Sequence, residues 1–178
     1  WKDTAGTIWY YDGSYYNRMW KYNPVTNNWA LIKEQASEVE IFAGVNTSDA
    51  GNTPGIHVKA TTWTGTNGDL YLFSGDNELN TNNVIKYVIA TNTWILVRTA
   101  TTTDYATSGL LEYQHVTVAG NATVEAHPCY MEYSTAKWND SDGNLWVYGL
   151  KGENYGEWNF PSSDHLWKYN STTRKWQW

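Results

Sequence analysis

Cysteine is nearly absent from this chain. Cys129 is the only one in 178 residues, which excludes an intrachain disulfide framework. That thiol reads as a small packed side chain, or as the partner of a thiol on another chain. Positive charge is also scarce: 12 Lys and Arg stand against 18 Asp and Glu, and a net charge of −6 excludes nucleic acid and anionic membrane surfaces as expected partners. Charged residues total 17%, below the usual quarter. No apolar run approaches the roughly 20 residues of a membrane helix, so no membrane insertion is expected. Aromatics are what the chain has instead, with 12 Trp and 14 Tyr. Together with abundant Thr, Asn and Gly they favour short strands and many turns over helices. The length suffices for one domain with a core of its own.

The aromatics recur in order. "KYNPVTNNW" (Lys21 to Trp29) returns as "KYVIATNTW" (Lys86 to Trp94) and "KYNSTTRKW" (Lys168 to Trp176). Upstream of each window stands a second motif: "GTIWYYDG" from Gly6, "GDLYLFSG" from Gly68 and "GNLWVYGL" from Gly143. A Trp precedes each of these glycines by five residues, at Trp1, Trp63 and Trp138. Three anchors in one order with two fixed spacings mark an internal repeat, which takes precedence over any residue-level reading.

Each copy reads as four strands, a to d. Strand a ends at the first Trp, b is the Leu/Ile-aromatic run, c ends at the Tyr, and d begins near the second Trp. The links between a and b and between c and d are short, polar and turn-rich, as hairpin connections are. Four-stranded antiparallel units repeated along a chain point to a β-propeller. "GNLWVYG", "LWKYN" and "MWKYNP" resemble the kelch repeat of galactose-oxidase-like propellers, and the resemblance covers nearly the whole chain. It departs from that pattern after strand b, where Asp12-Gly13, Ser74-Gly75 and Gly149-Leu150 replace a glycine pair. The expected fold is all-β: three consecutive four-stranded kelch-type blades of a larger or oligomer-completed ring. Blade 1 covers about 1–34 and lacks most of strand a, blade 2 about 57–99 and blade 3 about 129–178, with insertions at about 35–56 and 100–128. Three blades fall short of the usual four to eight. The chain is therefore expected to be a segment of a longer propeller, or to close with a second copy of itself. Tyr22, Tyr87 and Tyr169, with Trp29, Trp94 and Trp176, are expected to pack between blades.

Strand alternation puts the a–b and c–d turns at one end of the sheets and the b–c and d–a connections at the other. The first set is constant in spacing. In the second, the distance from the strand-b Gly to the strand-c Tyr grows, from 6–22 to 68–87 to 143–169. Long loops in a compact domain are usually functional. Tyr155, Trp158 and Phe160, in the longest b–c connection, are the candidate binding residues.

Four N-glycosylation sequons begin at Asn46, Asn121, Asn139 and Asn170; Asn52-Thr-Pro is not one, because proline stands where Ser or Thr is required. Chance alone yields about three in so Asn- and Thr-rich a chain, so their positions in loops and turns count for more than their number. They tilt localisation to extracellular or cell surface. The family resemblance implies one enzymatic alternative, a galactose-oxidase-like copper site. Cys129 and His57, His115, His127 and His165 are its only supply of Cys and His ligands, and no recognisable motif surrounds them. "NDSDGN" from Asn139 and "SGDNELN" from Ser74 lack the ligand spacing of a calcium loop and read as ordinary turns. No metal and no cofactor is expected. The expectation is a non-enzymatic interaction or assembly module that binds a protein, a glycan or further copies of itself through the b–c and d–a loops. The alternatives are a carbohydrate-binding propeller, the copper oxidase and a cytoplasmic kelch adaptor.

Overall fold

A computed structural model describes residues 1–73, 83–99, 128, 133–151 and 163–177, with backbone alone for 133–135, 149–151 and 163–165. These residues are all-β, without a helix. The first sheet has three strands, β1 (Ile8–Tyr11), β2 (Met19–Asn23) and β3 (Asn28–Lys33), in that order. The second has four: β4 (Thr61–Thr64), β5 (Leu70–Phe73), β6 (Val84–Val88) and β7 (Thr93–Arg98). The third also has four: β8 (Tyr133–Asn139), β9 (Leu145–Lys151), β10 (Ser163–Asn170) and β11 (Lys175–Gln177). Every neighbouring pair is antiparallel, so each sheet is a simple meander. Ahead of β1, the main chains of Trp1 and Trp9 exchange two hydrogen bonds of 2.9 Å, and Lys2 bridges Ile8.

The three sheets stack, and the core lies between them. β5 reads Leu-Tyr-Leu-Phe and is buried on both faces because its sheet is the middle one. Leu70 and Leu72 join Trp9 and Met19 in the cluster toward the first sheet, while Tyr71 and Phe73 join Leu145 and Val147 toward the third. On β1, at the end of the stack, the same alternation leaves Trp9 buried and Tyr10 exposed.

The seven-residue spacing has a simple geometry. Tyr22 sits opposite Trp29, Tyr87 opposite Trp94 and Tyr169 opposite Trp176 across adjacent antiparallel strands. Their ring centroids are 5.0, 5.1 and 5.1 Å apart. The neighbouring sheet covers two of the pairs: Tyr11 lies 5.2 Å from Trp94, and Phe73 lies 4.7 Å from Trp176. Trp94 and Trp176 are fully buried. Trp29, expected to pack like them, is 53% exposed, because no described residue covers that face of the first sheet.

The turns repeat as well. Asn27, Asn92 and Arg174, each five residues after its Tyr, adopt φ of 56°, 55° and 57°. Asn tolerates this left-handed conformation better than Arg. It also accepts a hydrogen bond from the Tyr hydroxyl, at 2.7 Å for Tyr22–Asn27 and 2.5 Å for Tyr87–Asn92. Arg174 has no acceptor, and the buried Tyr169 hydroxyl has no hydrogen-bond partner among the described residues. At the a–b turns, Asp3 and Asp140 each accept from two backbone N–H groups of the turn and from an indole six residues on, Trp9 at 2.8 Å and Trp146 at 3.0 Å. Burial of Asp3 favours its neutral form, but the bonds from Trp9, Thr7 and Ala5 prevail and lower its pKa. The Asn144 carboxamide, followed by the Trp146 indole, holds Asp140 well below the usual carboxylate range.

Arg174→Asn supplies the missing acceptor for Tyr169 and relieves the backbone, and it is expected to stabilise the fold by about 1 kcal/mol. Asn92→Ala strands the Tyr87 hydroxyl and is expected to cost about 1–3 kcal/mol. Urea unfolding of both variants checks the pair, and an Arg174→Asn chain no more stable than its parent refutes the pairing rule. The carboxylates make a second prediction. Because their folded pKa values lie below the unfolded value of about 4, their contribution is complete above that pH and is lost as the pH falls through the folded pKa. Melting temperatures measured from pH 6 to pH 2 should drop more steeply for the parent than for Asp140→Asn. Parallel curves would remove Asp140 as a source of acid sensitivity.

Candidate functional site

The b–c connection of the first sheet is short and built to present aromatics. Asp12 Oδ1 accepts from the N–H groups of Ser14 and Arg18, and Asn17 takes φ 49°. The buried Asn17 carboxamide donates to the carbonyls of Ser37 at 2.7 Å and Gln35 at 3.0 Å. The turn so pinned pushes Tyr15 and Tyr16 into solvent. Their rings meet edge-on at 5.4 Å. The Arg18 guanidinium covers Tyr16 at 4.3 Å from its centroid while its Nε donates to Glu34 at 2.9 Å.

The connection from β3 to β4 is a packed strap. Ile41 and Thr53 pair with each other, and Val45 forms a parallel bridge to Leu96, which covers the outer edge of β7. Asn52, fully buried, clips the strap down. Its Nδ2 donates to the carbonyls of Thr47 and Trp94, both at 2.9 Å, and its Oδ1 accepts from the Ala43 N–H. Further along, Glu40 accepts from His57 Nε2 at 3.0 Å and from the Asn83 carboxamide, bridging the strap to the second sheet. The Tyr11 hydroxyl lies against the Gly55 carbonyl and the Asn17 carboxamide oxygen. Its pKa is raised by burial, and the negative charges of Asp12 and Glu40 add to this. Between the first two sheets a cleft of about 330 Å³ opens, lined by Trp1, Trp9, Tyr11, Asp12, His57 and Lys59 among others.

Tyr155, Trp158 and Phe160 lie outside the described residues, as do Asn121, His115, His127, Cys129 and the Ser74 turn. Of the oxidase candidates only His57 has a described side chain, and it is buried against Glu40 rather than turned to a cluster. Among the described residues no group of three or more His, Cys, Asp or Glu is placed to hold a metal. In the Asn139 turn both Asp140 oxygens are occupied by protein donors. No described helix is long and apolar enough to cross a membrane. Asn46 is exposed with φ 59°. Asn139 is exposed too, but its Nδ2 donates to Thr64 O at 3.0 Å, joining the third sheet to the second. Asn170 is half-buried, and its Oδ1 accepts from Thr172 and Thr173.

The outer faces of the stack are aromatic. On the first sheet Ile8, Tyr10, Trp29 and Leu31 are exposed; on the third, Trp138, Tyr148 and Leu166 are. Neither these faces nor the Tyr15–Tyr16 pair was singled out from sequence. A Tyr-Tyr dipeptide after a Gly-Ser turn was the only available sign of the latter. No protein-family model matches the sequence, and no curated protein is similar to it.

If the chain is expressed through a eukaryotic secretory pathway, Asn46 should carry a glycan and Asn139 should not, because the Asn139 Nδ2 that would bear the sugar joins two sheets. Peptide mass spectrometry after glycosidase treatment reads both sites. A glycan on Asn139 of the folded protein would contradict the close packing of its Nδ2 against Thr64.

Proposed function

We propose that the chain is an extracellular, non-enzymatic interaction module made of kelch-type propeller blades, and that it meets a protein partner at the end bearing the b–c and d–a connections. The exposed Tyr15–Tyr16 pair carries the reading. It is displayed by a turn whose backbone is fixed by Asp12 and Asn17, at the end where connection lengths vary. Tyr and Arg on a rigid support are the side chains that interfaces favour. The opposite end offers no such freedom, since its turns repeat one geometry. The kelch-type reading is supported by three successive antiparallel meanders with the same Tyr–Trp register. A glycan-stacking platform is less well supported here, because Arg18 covers one face of Tyr16 and Tyr15 meets the ring edge-on.

A photo-crosslinking side chain placed at position 16 should capture a protein from the extracellular fluid of the source, and the same probe at Val25, in the opposite turn, should not. Equal capture at both positions, or none at 16, would overturn the reading.

A further inference from the structure

We infer that the two outer faces of the stack are the two halves of one interface, and that a second copy of this chain occupies them head to tail to complete a six-sheet ring. The inference rests on the propeller reading above. Its warrant is that the chain already builds this interface twice. In the first instance, Trp9, Tyr11 and Met19 of the first sheet meet Leu70, Tyr87 and Trp94 of the second. In the next, the corresponding Tyr71, Phe73 and Val84 meet Leu145, Tyr169 and Trp176 of the third. Trp63 extends that contact at 5.7 Å from Tyr169.

Counting by the repeat, the third sheet's free face carries the next members of the first series: Trp146, Tyr148 and Leu166. Trp138 stacks on Trp146 at 6.1 Å with the rings 3° from parallel, as Trp63 stacks on Tyr71 at 4.9 Å and 20°. The first sheet's free face carries the missing members of the second series: Ile8, Tyr22 and Trp29. The Tyr–Trp pair there already has the spacing found where it is covered. Each free face thus presents what the other's buried counterparts receive. Exposed large apolar side chains gathered on one sheet face mark a contact surface.

The contact is heterologous, so it forms a ring if the rotation per sheet closes and a filament if it does not. Counting the three sheets of the described residues, two copies supply six, inside the usual range of four to eight, whereas three copies supply nine and exceed it. The closed dimer is therefore the occupant the geometry favours.

Light scattering on the 178-residue chain at about 10 µM, where a micromolar contact is populated, should give twice the 20.4 kDa chain mass. Trp29→Arg and Trp138→Arg should each return it to the single-chain mass, because either variant spoils both contacts of the ring. An equimolar mixture of the two retains one intact pairing. Measured at up to about 1 mM, since the open pair has lost its second contact, it should regain dimer mass, which also shows that both variants fold. A single-chain mass for the parent, a dimer that survives either substitution, or a mixture that stays at single-chain mass would each overturn the inference. Crosslinking at position 16 does not depend on the ring, so a monomer that still captures a partner there overturns the ring and leaves the module standing.

Discussion

Sheet stacking in this chain depends on one contact: a tyrosine and a tryptophan opposite each other on neighbouring strands, closed over by an aromatic from the preceding sheet. Tyr87 and Trp94 receive Trp9 and Tyr11, and Tyr169 and Trp176 receive Trp63 and Phe73. Such pairs add about 0.5–1.5 kcal/mol each beyond the area they bury. More important is where the burial occurs. A single meander has no inside, so almost all apolar burial here is between sheets, and each sheet is stable only against its neighbours. The middle sheet, with β5 buried on both faces, is the extreme case.

Hydrogen bonds at the a–b end repeat the same logic in polar form. Thr64 Oγ1 donates to Lys2 O at 3.0 Å, and Asn139 Nδ2 donates to Thr64 O at 3.0 Å. Lys2, Thr64 and Asn139 each follow their strand-a Trp, so corresponding positions hold one another in a line across the stack. The a–b turns touch in the same way. A Cβ at Gly143, where φ is +74°, would lie 2.5 Å from Thr66 Cγ2, in the turn of the preceding sheet. The constant five-residue spacing from Trp to Gly is thus a packing requirement between turns. A longer turn would strike its neighbour.

That requirement is why much of the fold was legible in the sequence. Contacts that recur at every repeat leave the same residue at the same spacing, and the Tyr–Trp opposition follows directly from a seven-residue interval across a short turn. Contacts that occur once leave no such trace. Asn52 read only as a near-sequon ruled out by Pro54, yet its carboxamide ties the strap to Trp94. Glu40 and His57 are 17 residues apart and meet only because the strap folds back between the first two sheets. Trp29 failed for another reason: its position in the repeat is right, but burial belongs to the neighbour, and no described residue lies over it. Tyr15 and Tyr16 were overlooked because aromatics are so common here that two more carried no contrast.

Edges and faces of the stack pose different problems, and the chain treats them differently. An unpaired edge strand invites any extended segment, and local devices suffice to block it. Val45 bridges Leu96 along the edge strand β7, and the Lys33 ammonium ties β3 to the strap and to the second sheet's turn through the carbonyls of Ala50 and Asn92. A face cannot be closed by one residue or a charge. Where the Tyr–Trp pair is covered, at Trp94 and Trp176, the cover is a sheet of the same repeat bringing Tyr11 or Phe73, and the inferred ring gives Tyr22 and Trp29 the same kind of cover. Among the described residues the edge of β7 is thus covered locally, while the two outer faces keep their aromatics exposed. Closure is what separates such a design from aggregation, since a heterologous face that fits its own opposite side polymerises unless the ring returns to its start.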